Sequence, residues 1–291
     1  MEPSAQARTK IKQLEVVVSG AIRETPDTTT LVLFAGKDTL EYQSGHFLTI
    51  DPHQFPALER FVDYLEDQKG TREPRRAYSL SSAPHEQSLA ITVKEERYVR
   101  GTTKYPPLMS PLLVHWTGAG VRMIITGFTG HYTLPETVES KTNHLVHICA
   151  GSGIVPNFSI IKHSLKEHPK LRHTLIYSNR SWDDVIFSAQ LADLQRQHPA
   201  RLRVIHTLTR ATEGAPDGIK QGRVTADLLR DAIPDPTECL VYACGPAVSK
   251  WDRRTARERG EEAPPRFLEM ILALLEEIGI PQDRIENESY G

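Results

Sequence analysis

The stretch "HLVHICAGSGIVPNFS", His144 to Ser159, decides the fold of the second half of this chain. A mostly apolar run of strand length ends at Cys149 and Ala150, Gly151 and Gly153 permit a tight turn, and Pro156 suits the first turn of a helix. Outward from there the same alternation recurs. The strand-like runs "RHTLIYS", "RLRVIHTL" and "ECLVYACG" alternate with segments of helical spacing, "SAQLADLQRQ", "TADLLRDA" and "RFLEMILALLEEIG". Strand, helix, strand in repetition specifies a parallel sheet covered on both faces, with ligands at the carboxyl ends of its strands. A helix that starts just past such an end offers unpaired backbone N–H groups to a phosphate. Residues 139–291 are therefore expected to form a nucleotide-binding α/β domain.

The chain before this has a different period. "IKQLEVVVSG", "TTTLVLF", "HFLTI", "RAYSL", "SLAITVK" and "VRMIITG" are short and alternating, and Gly, Pro, Asp or Ser separate them. That is the pattern of an antiparallel sheet closed into a β-barrel. Residues 1–138 are read as this domain, with a helical insertion at about 55–72, where Leu58, Phe61, Val62 and Leu65 have helical spacing. "PETVESKTN" reads as a polar linker between the two.

Charge and composition exclude several classes of function. With 35 basic against 37 acidic residues, a net charge of −2 gives no field that favours nucleic acid or an anionic membrane. The most apolar runs are strand-length, and the polar start "MEPSAQARTKIKQLEV" carries no apolar signal segment, so a cytoplasmic protein without membrane insertion is expected. Cys149, Cys239 and Cys244 are too few for a disulfide scaffold. Cys239 and Cys244 have the C-x4-C spacing of an iron–sulfur loop, but "LVYA" between them is a strand and no C-x2-C pair follows, so no metal site is expected.

The chemistry starts at "RRAYSLSSAP", Arg75 to Pro84. Arg76 supplies a planar fork for phosphate oxygens, Tyr78 an aromatic plate and Ser79 a hydroxyl small enough to sit beside a ring nitrogen. Together with Ala77 on the same strand, they suit a flavin dinucleotide. Later strands end in "YSNRSWDDVIF", with Ser178, Asn179 and Arg180, and in "ACGP", with Cys244, Gly245 and Pro246.

Taken in order, R-x-Y-S, h-x-V-K, G-x-x-G-x-Y, A-G-S-G-x-x-P, C-G-P and the terminal "IENESYG" resemble the ferredoxin–NADP⁺ reductase family over most of the chain. Within it the sequence is most similar to bacterial reductase components of oxygenases that lack a fused iron–sulfur domain. The resemblance implies FAD as cofactor, with Arg76 on its pyrophosphate, Tyr78 against the isoalloxazine and the Ser79 hydroxyl at N5. It implies that Thr92, Val93 and Lys94 line the ribityl region, and that Leu108, Met109 and Ser110 hold the diphosphate. The chain departs from the family at "RGTTKYPP", which lacks the usual Gly-Gly, and at "GFTGHY", where Phe128 replaces a proline and Gly127 and Gly130 are expected to serve a turn. In the second domain the resemblance gives Gly151, Ser152, Gly153 and Pro156 the dinucleotide turn and places Cys244, Gly245 and Pro246 beside the nicotinamide. Glu288 and Tyr290 return to the cleft, Tyr290 over the flavin and Glu288 near nicotinamide C4. Ser79, Cys244 and Glu288 are thus the expected catalytic residues.

Arg180 at a strand end can pair with a ribose 2′-phosphate, which favours NADPH over NADH, while Asp183 and Asp184 are read as caps of a helix "DDVIFSAQL". The implied activity takes hydride from NADPH or NADH and passes single electrons to a separate ferredoxin or oxygenase iron–sulfur centre. A flavin reductase acting on small acceptors and a regulatory flavoprotein are the alternatives. Lys250 to Phe267, "KWDRRTARERGEEAPPRF", is longer than the family's connection and begins as a basic cluster suited to steering an acidic partner.

Overall fold

The computed structural model describes residues 12–36, 40–98, 103, 105–135, 137–210 and 214–290. Gly291 and part of "RGTTKYPP" lie outside the described residues. Two six-stranded sheets follow one another along the chain.

The first is antiparallel. It contains β1 (Lys12–Thr25), β2 (Thr28–Phe34), β3 (Phe47–Ile50), β4 (Arg76–Ser79), β5 (Leu89–Lys94) and β6 (Arg122–Thr129), in the order β4-β3-β6-β1-β2-β5. The alternation seen in the sequence becomes an inner face of Leu14, Val16, Val18, Leu31, Leu33 and Ile125, all buried. The sheet curls until its edges meet at one bridge, Leu80 to Ile91, reinforced by the Ser81 amide donating to the Ala90 carbonyl at 2.9 Å. The insertion is α1 (Glu59–Lys69), which packs Val62 and Leu65 on this core and stops at Gly70, whose φ of 67° a side chain would resist.

The second sheet is parallel, ordered β10-β9-β8-β7-β11-β12. Its strands are β7 (His144–Ala150), β8 (Arg172–Asn179), β9 (Leu202–Leu208), β10 (Lys220–Gln221), β11 (Cys239–Pro246) and β12 (Ile285–Tyr290). One face packs α3 (Ile154–Glu167) and α4 (Ser188–Gln197) through Phe158, Ile161 and Leu191. The other packs α5 (Ala226–Ala232) and α7 (Phe267–Glu277) through Leu229, Ile271 and Leu275. Strand order reverses between β7 and β11, and in such sheets a crevice opens at that switch point.

Two readings of the sequence are corrected. "PETVESKTN" is not a plain linker, because Val138 is fully buried and starts the single turn α2 (Val138–Lys141). "DDVIFSAQL" is not one helix. Asp184 closes a capping box with Ser181 on a short 3₁₀ turn, Val185, Ile186 and Phe187 bury themselves in non-helical backbone, and α4 starts only at Ser188. The basic connection after β11 is itself helical, α6 (Lys250–Glu258), fixed by a capping box between Ser249 and Asp252.

The two sheets are joined by polar contacts. Ser159 Oγ donates to the Ser82 carbonyl at 2.6 Å, Lys162 pairs with Glu86 at 2.6 Å, and the Tyr132 hydroxyl donates to Asn157 Oδ1 at 3.1 Å. Tyr132→Phe keeps the ring packing but deletes that buried bond, and is expected to lower unfolding free energy by about 1 kcal/mol in urea titration. An unchanged midpoint shows that the bond carries no weight.

Candidate functional site

The carboxyl ends of β7 and β11 face the first sheet across a cavity of about 940 Å³. Its antiparallel wall is Arg76, Ala77, Tyr78 and Ser79 of β4 with Thr92, Val93 and Lys94 of β5. Leu108, Met109 and Ser110 extend that wall. Ser152, Pro246, Glu288 and Tyr290 form the parallel wall. Gly151, Gly153, Cys244 and Gly245 flank the wall in sequence without lining it, and Pro156 is buried in the first turn of α3. Ser178 and Asn179 end β8 one strand over, where Ser178 pairs with Ala150, and the exposed Arg180 follows the strand.

Glycine is required where these elements meet. A Cβ on Gly153 would lie 2.2 Å from the Cys244 carbonyl oxygen, and one on Gly245 would lie 2.6 Å from the Phe267 ring. The turn carbonyls are tied back: the Tyr177 hydroxyl donates to Gly151 O at 3.0 Å and Asn157 Nδ2 to Gly153 O at 2.9 Å. Among the described residues no side chain caps the amino end of α3; the Ile154 amide closes the preceding 3₁₀ turn on the Gly151 and Ser152 carbonyls, so the turn at Gly151, Ser152 and Gly153 forms the start of this helical segment.

The electrostatics differ from wall to wall. Arg76 donates to Glu73 at 2.5 Å and to the Pro74 carbonyl at 2.7 Å, and Lys94 donates to Asp27 at 2.9 Å. Across the cavity Glu288 stands opposite Cys244 in the β11–β12 register, and its Oε2 is buried with no hydrogen-bond partner among the described residues. Burial pushes its carboxyl up to about 7. Burial, with the Cys244 thiol and Glu288 nearby, also drives the Tyr290 hydroxyl far above its ordinary range, opposed by Ser79 beside it. Burial raises the Cys244 and Cys149 thiols as well, so both are neutral packing groups and not thiolate nucleophiles.

The sequence reading missed Lys69 of α1, Tyr105, and Trp251 of α6, which also line the cavity; Arg254 of α6, read there as surface charge, lines it too. The helical spacing at Val62 and Leu65 locates α1, and the Ser249-x-x-Asp252 capping signal locates α6, but neither tells which way a polar residue faces. No helix of the described residues is long and apolar enough to cross a membrane. Among them no three His, Cys, Asp or Glu side chains are grouped as metal ligands.

Comparison with known proteins gives this architecture a class. The TM-score is 0.71 against the flavohaem-like FAD/NAD-binding domain of nitric oxide dioxygenase from Vibrio cholerae, at 23% identity, covering 96% of this chain and 98% of that one. The chain therefore has the ferredoxin–NADP⁺ reductase-like fold, an antiparallel sheet followed by a parallel one. Residues 147–249, which span most of β7 and all of β8, β9, β10 and β11, match the oxidoreductase NAD-binding domain. The chain is also 30% identical over 243 residues to the ferredoxin reductase component of 3-ketosteroid-9-alpha-monooxygenase of Mycobacterium tuberculosis, covering 80% of this chain and 58% of that protein. It is 30% identical over 196 residues to a component of the 1,2-phenylacetyl-CoA epoxidase of Escherichia coli, covering 63% of this chain and 50% of that protein. The chain thus spans about half the length of the curated relatives it matches.

Glu288 has a measurable consequence. Folded, it keeps its proton up to about pH 7; unfolded, it loses it near 4.5, so its ionisation destabilises the fold as pH rises through that window. Glu288→Gln is expected to match wild type near the lower end and to exceed it by a few kcal/mol at about pH 8. Melting curves that run parallel across the window show that Glu288 titrates as an ordinary surface carboxylate.

Proposed function

We propose that this chain is an FAD-dependent NAD(P)H oxidoreductase that delivers single electrons to a separate ferredoxin or oxygenase iron–sulfur centre. The observation that carries the reading is the shared cavity. Residues 1–138 contribute Arg76, Tyr78, Ser79 and Lys94, and residues 139–291 contribute Ser152, Pro246, Glu288 and Tyr290, to one space of about 940 Å³. The donor set suits the cofactor: the Arg76 guanidinium for a diphosphate, Tyr78 and Tyr290 as aromatic plates, and Ser79 as a hydroxyl near a ring nitrogen. Bound flavin would supply the conversion of a two-electron donor into one-electron steps. The chain's own residues orient and screen. Tyr290 and Pro246 exclude water from the ring face, while the turn at Gly151, Ser152 and Gly153 takes up the nucleotide phosphates. Glu288 holds a proton at Oε1 or Oε2 to about pH 7 and so presents a neutral donor near a carboxamide. Cys244 lies behind this wall and shapes it by packing.

Arg180, exposed at the end of β8, supports NADPH as donor, with NADH the alternative. Asp184, engaged with Ser181, is a structural cap there. Three buried free cysteines suit a reducing cytoplasm. Purified protein is expected to be yellow with non-covalent FAD, to oxidise NADPH with higher kcat/KM than NADH, and to reduce an added ferredoxin. Reduction of free flavin alone selects the small-acceptor reading. Flavin binding without NAD(P)H oxidation selects a regulatory one.

The α6 surface bears on the partner. Lys250, Arg253, Arg257 and Arg259 are exposed along it, while Asp252 is engaged by Arg266 at 2.8 Å. Such a surface attracts an acidic carrier at long range. Because Arg254 lines the cavity, the test uses Arg253→Glu with Arg257→Glu only. Reduction of the protein acceptor is expected to slow several-fold at low salt and to converge with wild type as salt rises. A small neutral quinone is expected to be reduced at the wild-type rate, and equal protein-acceptor rates at low ionic strength leave α6 without a docking role.

A further inference from the structure

Glu73 lies behind the cavity wall, bonded to two residues that line it. Only 1% of its side chain is exposed, and a buried carboxylate is costly unless cations satisfy it. Two do. Lys69, in the last turn of α1, donates to one oxygen, and Arg76, at the start of β4, donates to the other at 2.5 Å. Burial alone would raise the carboxyl, but the bonds from Lys69 and Arg76 hold it below its ordinary value, so it is a fixed anion between two fixed cations. Its own amide is fastened to Glu66 at 2.7 Å, and Glu66 accepts or shares a hydrogen with His53 at 2.7 Å. The turn that carries Glu73 is therefore pinned to α1.

Both cations also line the cavity. Their side chains are 30% and 32% exposed there, and an ammonium and a guanidinium have more donors than Glu73 and Pro74 consume. The Lys69 ammonium stands 5.0 Å from the centroid of the Tyr105 ring, which lines the same end of the cavity. Two cations bracketing one carboxylate leave a net positive charge held in place before any ligand arrives, which spares a ligand the entropy of ordering them.

We infer that Lys69 and Arg76 form a two-cation clamp for the dinucleotide's diphosphate, with Glu73 as the residue that positions both. The clamp rests on the FAD reading above and adds to it a residue from α1 that no motif of the chain marks. Lys69 bonds phosphate oxygen directly; Glu73 acts through Lys69 and Arg76.

The test measures binding of FAD and of riboflavin, which has the ring without phosphates, to flavin-stripped full-length protein by fluorescence quenching over a range of salt. Lys69→Met is expected to weaken FAD about tenfold, the effect of losing one hydrogen bond to a charged group, and to flatten the salt dependence while riboflavin binding stays unchanged. Glu73→Gln adds positive charge, so a purely electrostatic role would tighten FAD; loss of the shared anchor weakens it instead. If Glu73→Gln fails to fold, the Lys69→Met comparison of FAD with riboflavin carries the decision. Lys69→Met that binds FAD like wild type while Arg76→Ala loses it overturns the clamp and leaves the proposed function standing. Equal losses for riboflavin and FAD overturn it too, since the damage is then to the whole cavity. Wild type that takes up no FAD overturns the underlying reading.

Discussion

Everything at the site depends on how closely β7 and β11 approach at their carboxyl ends. The turn leaving β7 passes so near the Cys244 carbonyl that position 153 has no space for a methyl group, and position 245 has none against Phe267. Two side-chain-free positions thus let α3 begin directly over the reversal in strand order. The crevice exists because the chains diverge from that contact in opposite directions. The contact also sets β12, since six residues of the terminal strand pair in register with β11 and bring Glu288 and Tyr290 to the cavity.

The first sheet would be of little use to that crevice without a fixed seam. Asn157 is central to it. Its Nδ2 holds the Gly153 carbonyl, its Oδ1 accepts from the Tyr132 hydroxyl, and the same oxygen meets His147 Nδ1 at 2.9 Å. His147 in turn meets His173 at 3.2 Å, and burial lowers the His147 imidazole to about 4, so this ladder stays neutral at physiological pH. Gly45, at φ 93°, lets the first sheet press against the backbone of Tyr132. The turn after β7 and the strand exit from the first sheet are consequently tied to the same amide.

The sequence was most legible where period alone carries the information. Alternation gave the antiparallel strands, and apolar runs separated by helical spacing gave the parallel sheet. Its failures have specific physical causes. "VIF" at 185–187 has helical spacing with Leu191, but those side chains are needed under β8 and β9, and Phe187 reaches them only with φ at 60°. "IENESY" carries too little apolar content to announce a strand, because an edge strand with one solvated side needs little. Among the residues that line the cavity, Arg76, Tyr78 and Ser79 were readable because they share one short strand. Lys69 was not, because its position depends on Glu73, and a buried carboxylate four residues from a lysine looks in sequence like any helix-surface pair.

The two elements that the sequence marks as additions, α1 and α6, both contribute side chains to the cavity. Their electrostatic situations differ. Lys69 of α1 and Arg76 of β4 are immobilised by a buried anion, whereas on α6 Arg254 pairs with the exposed Glu258 at 3.0 Å, an arrangement worth little in water. Fixed charge suits a resident ligand that must be held in one pose, since its ordering cost is met when the protein folds. Loosely paired charge suits a visitor that must arrive quickly and leave. The physical division runs the same way as the proposed one, with the cofactor phosphates at the α1 end and the exchangeable partner at α6.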